Sequence, residues 1–253
     1  MVKEGSPGEI STSASTKAPS SPTTAQVSTF ANIEAPLNAI IIWDYPPVNE
    51  RLLTRYLLQN TIATGHKVKE ALLYSVLVLE MQKDMILEGS VIDVGEMGRT
   101  IVPNIEKLLD VARERKVPVI YGNINYIAQD PLFKMIPLHC VPGTTGCEVV
   151  DELKPKDEDY IVNIYRMNAF LFSNLEYLLR VLGVNTVIIT GVSTNTGCLH
   201  TAMEAFQRGF EVIIASDGCA TYKEERHQAA LEYLKPFAQI LTVDEIMEQL
   251  RIN

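Results

Sequence analysis

The sequence predicts an α/β fold in which a six-stranded parallel sheet lies between two helical layers. Three observations lead there. Short, β-branched, charge-free runs recur along the chain; helical apolar periodicity separates them; and one run, Thr186 to Thr190, passes through Gly191 into a strand-to-helix turn. Buried parallel strands read as continuous apolar runs because helices cover both faces. Alternation of such runs with amphipathic helices is the pattern of a doubly wound sheet.

The elements follow in order. Residues 1–36 are rich in Ser, Thr, Pro and Ala, offer little to bury, and read as a disordered tail. Residues 37–70 read as an arm, with a strand pattern over Asn38–Asp44, a break at Tyr45-Pro-Pro and an amphipathic helix pattern from Glu50 to Asn60. The arm carries the only tryptophan, Trp43, and the expectation is that it covers an edge or a subunit contact. The domain proper, 71–253, opens with the run Ala71–Leu79 and the polar turn Glu80-Met-Gln-Lys-Asp84. A helix is expected over 98–115, with Ile101, Ile105, Leu108, Leu109 and Val111 on its apolar stripe. The strand Val117–Tyr121 then completes a right-handed βαβ unit.

Pro142-Gly-Thr-Thr-Gly146 leads into a short helix, Cys147 to Leu153. Tyr160–Ile164 is the third strand, and Gly183 stops the helix of 173–182. The fourth strand ends at Gly191. Leu199, Ala202, Met203, Ala205 and Phe206 then fall at helical spacing. A fifth strand (210–217), a helix (224–234), a sixth strand (238–242) and a last helix (243–250) complete the chain.

Composition narrows function. The 253 residues are 47% hydrophobic and 21% charged, enough for one large core. A net charge of −9 without any basic cluster argues against nucleic-acid and anionic-membrane partners. No apolar run reaches the roughly 18 residues of a membrane span, and the N-terminus lacks the apolar core of a secretory signal. The four cysteines lack CxxC spacing, so neither a zinc site nor a disulfide framework is expected, and a reducing cytoplasm fits.

The stretch Gly191-Val-Ser-Thr-Asn-Thr-Gly-Cys198, with Glu80-Met-Gln82, Pro142-Gly-Thr-Thr-Gly146, Asn168-Ala-Phe170 and Ser173-Asn-Leu175, resembles the isochorismatase-like superfamily of cysteine hydrolases over roughly residues 71 to 247. The resemblance implies the isochorismatase-like, Rossmann-like three-layer fold and hydrolysis of a small polar metabolite: an amide, a carbamate or a vinyl ether. It implies no cofactor, and as partners only a small-molecule ligand and further subunits, identical or paralogous. In the family an Asp acts as base, a Lys orients and stabilises charge, and a Cys attacks the substrate carbonyl while backbone N–H groups hold the oxyanion.

By register those positions hold Glu80, Ile164 and Gly197, and Cys198 follows one residue late. A one-residue shift turns a helical side chain by about 100°, so Cys198 is expected to point away from the pocket unless the turn is bulged. The resemblance further marks Gln82, Asn168, Phe170, Thr194 and Asn195 as substrate-binding positions. A Gly-Cys pair is similar to that of the isochorismatases, which protonate a vinyl ether and need no nucleophile, although that branch keeps both Asp and Lys. The nicotinamidase branch has an Asp-x-His metal motif after its second strand, where Tyr121-Gly-Asn-Ile-Asn-Tyr126 offers neither group. His200 and His227 read as surface or packing residues. Two readings stay open: a working hydrolase that uses Glu80 in an altered pocket, and a catalytically silent member kept as a structural or binding subunit.

Overall fold

The computed structural model of the chain describes residues 73–252. The expectations for the tail (1–36) and for the arm with its Trp43 (37–70) therefore lie outside the described residues. Six strands form one sheet: β1 (Tyr74–Leu79), β2 (Val119–Ile124), β3 (Tyr160–Ile164), β4 (Thr186–Val192), β5 (Glu211–Ala220) and β6 (Gln239–Leu241). Their order is β3-β2-β1-β4-β5-β6, and every pairing is parallel. All residues of β1 and β4 are buried, as expected of central strands covered on both faces.

Helices α1 (Lys83–Ile86), α2 (Glu96–Thr100), α3 (Val102–Glu114), α4 (Leu175–Val181), α5 (Leu199–Gln207), α6 (Glu224–Leu234) and α7 (Val243–Ile252) accompany the sheet. Among the described residues no helix is long and apolar enough to cross a membrane.

Some boundaries differ from the sequence reading, and local chemistry explains most of them. The helix expected over 98–115 is split at Ile101, because Pro103 stands in the first turn of α3 and has no N–H to continue an earlier helix. The helix expected over Cys147–Leu153 is replaced by two single 3-10 turns, Thr145–Cys147 and Asp151–Leu153. Between them the chain is drawn out: Val149 bridges antiparallel to Gln82, and Lys83 N–H donates to the Glu148 carbonyl at 2.8 Å. β5 runs on to Ala220, with a register shift against β4 between Ile189 and Gly191.

The chain leaves β1 toward β2 on one side and β4 toward β5 on the other. The crevice where strand order reverses thus lies at the carboxyl ends of β1 and β4, the place where open α/β sheets bind ligands. Gly191 lets the two strands close there. Its φ is +108°, and a Cβ on it would run into the Leu79 carbonyl oxygen.

Candidate active site

Glu80 is the first residue after β1. Its backbone turns sharply, with φ at +57°, while its N–H donates to the Gly122 carbonyl of β2 at 3.0 Å. The residue is 5% exposed, and its Oε1 has no hydrogen-bond partner. Burial raises the carboxyl to about 8, because desolvation penalises the charged form and no positive group among the described residues offsets it.

The turn after β4 faces this carboxyl. It is entered through a cis peptide bond between Val192 and Ser193 and winds as a π-type turn over Thr194–Cys198, with the Cys198 N–H reaching back five residues to the Ser193 carbonyl at 3.2 Å. π-turns hold one residue more than an α turn and recur at functional sites. At Gly197 a Cβ would lie 2.5 Å from Glu80 Oε1, 3.1 Å from its Cδ and 3.2 Å from the Val192 carbonyl oxygen. The Glu80 carboxyl therefore occupies the space that a side chain at position 197 would need. The extra methylene at one position and the missing side chain at the other are one steric exchange.

Two side-chain contacts, one buried and one partly buried, hold the turn against the far half of the sheet. Thr194 Oγ1 meets His227 Nδ1 at 2.9 Å, and the Thr221 hydroxyl donates to Asn195 Oδ1 at 2.7 Å. His227, expected at the surface or in packing, is 6% exposed, and burial lowers its basicity below the ordinary histidine range. The sequence did carry a signal for its position: His227, Ala230, Leu231 and Leu234 stand at helical spacing and form the buried stripe of α6. His200 is exposed on α5, with Nδ1 2.8 Å from the Thr196 carbonyl oxygen.

The remaining candidate residues fall in different surroundings. Ile164 closes β3 and is fully buried; its carbonyl accepts from Asn125 N–H at 3.0 Å. The nearest cation along the chain, Arg166, is paired with Asp130 at 2.8 Å. Cys198 is fully buried, its thiol hydrogen-bonded with that of Cys219, and that contact together with desolvation pushes it well above the ordinary thiol range. Gln82, marked as substrate-binding by the resemblance, has its amide committed elsewhere. Nε2 donates to the carbonyls of Ile124 and Cys147 at 2.8 Å each, and Oε1 accepts from Ile124 N–H at 2.7 Å.

Asn168 Oδ1 accepts from Phe170 N–H at 2.9 Å, and Phe170 packs against Phe210 with the Arg208 guanidinium above its ring. Thr194 and Asn195 have the hydroxyl and carbonyl contacts already described. The structure thus brings Glu80 and Gly197 into contact and leaves the five marked binding residues in hydrogen bonds or packing within the fold.

Sequence reasoning missed a cluster behind β2. Tyr126, Phe133 and His139 stack edge to face with ring centroids 5.3 to 5.8 Å apart, and the Tyr126 hydroxyl is held protonated first by burial and then by the Glu80 charge. It also missed Asn123 and Asn125, whose Oδ1 atoms are buried without a partner. No triplet of His, Cys, Asp or Glu among the described residues is arranged to hold a metal ion.

These surroundings make a direct prediction for Cys198. Thiolate is the reactive form, and this thiol is both buried and held protonated. Mild iodoacetamide treatment of the native protein should leave Cys198 unmodified by mass spectrometry, while half-exposed Cys147 labels first. Rapid, selective alkylation of Cys198 would restore a cysteine nucleophile to this site.

A carboxyl after the first strand of a doubly wound parallel sheet, facing the turn after the fourth, is an arrangement of the isochorismatase-like α/β class. The chain belongs to the isochorismatase family: the isochorismatase domain model matches residues 74–245. It is 30% identical over 187 residues to nicotinamidase 3 of Arabidopsis thaliana, covering 71% of this chain and 89% of that protein. It is 31% identical over 172 residues to a probable inactive nicotinamidase of the same plant, covering 64% and 87%. Among solved structures, an isochorismatase-like hydrolase from Alkaliphilus metalliredigens superposes with a TM-score of 0.68 at 32% identity, over 70% of this chain and 98% of that one.

Proposed function

We propose that this protein is a hydrolase that works by proton donation from Glu80 to an acid-labile small metabolite of the vinyl ether class, rather than by attack of a thiol on an amide. The observation that carries this reading is the Glu80 carboxyl lying against Gly197, unpaired and raised to about 8, so that at neutral pH it is an undissociated acid in the place of a nucleophile. A general acid works best with a pKa near the working pH.

The steps balance without a covalent intermediate. Glu80 gives its proton to the enol carbon, leaving a carboxylate beside an oxocarbenium ion. Water adds to that cation, the resulting hemiketal collapses to a ketone and an alcohol, and the proton returns to Glu80. The second reading, a silent binding subunit, draws on fully buried Ile164, which can neither carry charge nor donate a hydrogen bond, and on the probable inactive nicotinamidase among the relatives.

An assay of the unmodified protein against small amides, carbamates and isochorismate separates these readings. Turnover is expected on the vinyl ether alone, with kcat/KM falling above about pH 8 as Glu80 loses its proton. Robust amide hydrolysis would overturn the reading, and inactivity on the whole panel would favour the silent subunit.

A further inference from the structure

Proton donation leaves a carboxylate at Glu80, and its surroundings determine what can stand beside it. Its side chain is buried and Oε1 is unpartnered. The titratable groups that sense its charge are Tyr126 beyond β2, Cys140 on the following loop and Cys198 on the turn after β4; burial raises the first two, and the hydrogen bond with Cys219 followed by burial raises the third, so they stay neutral up to and beyond pH 8. Among the described residues no cation answers it, and Lys83, three positions on, is paired with Glu148 and Asp151. Ile164 is apolar, Arg166 is taken by Asp130, and His227, bound to Thr194, is held neutral by burial.

Further acceptors lie along the neighbouring strand. The Gly122 carbonyl that receives the Glu80 N–H belongs to the peptide leading into Asn123, and Asn123 and Asn125 each hold a buried Oδ1 without a donor. At the strand-order reversal the orphaned Glu80 oxygen, with no cationic side chain paired to it among the described residues, is complementary to a ligand that brings positive charge and N–H donors.

We propose that the site at Glu80 binds small organic cations of the primary ammonium class, which reproduce the charge pair formed when Glu80 protonates its substrate. The inference rests on the proposed function in that the same carboxylate faces a cation in both. Binding is an exchange of charge: the ammonium enters with its proton, Glu80 releases its own to solvent, and the ion pair that remains is neutral overall. Affinity must therefore rise with pH while Glu80 is protonated in the free protein and level off once it is ionised. Stable cations that mimic a transition state bind more tightly than the neutral substrate.

The test uses the full chain and three probes of one size: n-propylammonium, neutral n-propanol and anionic propionate, titrated by calorimetry between pH 6 and 9. Ammonium affinity is expected to climb about tenfold per pH unit up to about pH 8 and then flatten, below the roughly 10 at which the amine itself titrates. Propanol should bind at least about tenfold more weakly at pH 8 with no slope, and propionate not at all. The carbon-13 carboxyl resonance of Glu80 at pH 7 should move to its ionised position on adding the ammonium. Glu80→Gln should abolish the slope; should that variant misfold, the wild-type slope and resonance decide alone.

Equal binding of propanol, preference for propionate, a flat ammonium profile or no ammonium binding would each overturn the proposal. Cation binding with this slope but no vinyl ether turnover would uphold it and reject the catalytic reading. Turnover without cation binding would do the reverse.

Discussion

Glu80→Gln is expected to stabilise the protein at alkaline pH and to leave it nearly unchanged at pH 4. In the folded chain Glu80 holds its proton to about 8, whereas an unfolded glutamate releases it near 4.5. Between those values the native state binds one proton more than the unfolded state, so stability is full below about pH 4.5 and falls as pH rises, by roughly 1.4 kcal/mol per unit. The loss approaches about 5 kcal/mol once Glu80 is ionised. Glutamine has the same shape and no proton to lose, which removes this dependence while keeping the contact with Gly197. Thermal melts of wild type and variant should coincide at pH 4 and differ at pH 9 by on the order of 10 °C. Parallel profiles at all pH values would mean that Glu80 titrates normally and that its burial is relieved in solution.

The second expected result is a coupling between positions 80 and 197. Gly197→Cys alone should destabilise by about 1 to 3 kcal/mol, because its Cβ would meet Glu80 Oε1 at 2.5 Å and the Val192 carbonyl oxygen at 3.2 Å, so the carboxyl must leave its seat. Glu80→Asp withdraws the carboxyl by one methylene and clears that seat. The double variant should therefore be more stable than the sum of the single changes predicts, with an interaction energy of about 1 to 3 kcal/mol. Adding Ile164→Lys supplies the missing cation at the end of β3. The triple variant should gain amidase or esterase turnover at least about a hundredfold above the wild-type background, since base, cation and thiol would then meet at one turn. Additive stabilities in a denaturant cycle would show that the two positions do not share space, and no gain in the triple variant would show that the turn does not aim a thiol at substrate.

Much of the fold was legible in the chain because its signals are local. Charge-free β-branched runs mark strands buried on both faces, and the helix of 224–234 coincides with α6, since its stripe of His227, Ala230, Leu231 and Leu234 depends only on helical period. The misplaced boundaries sit where one residue or one distant contact decides. Pro103 breaks the helix of 98–115, and Gln82 holds the chain extended where a helix over Cys147–Leu153 was expected.

The sequence by itself determined the family, the order of the strands along the chain and the identity of three altered positions, Glu80, Ile164 and Gly197, because register and residue type are properties of a one-dimensional string. What only the tertiary structure decided is how those alterations bear on each other. Glu80 and Gly197 are 117 positions apart, and only the parallel pairing of β1 with β4 sets a carboxyl against a missing side chain. The protonation of that carboxyl was likewise beyond the sequence, which carries the glutamate but neither the water excluded around it nor the absence of a partner for Oε1. Burial and proximity are relations among residues far apart in the chain, and folding alone brings them about.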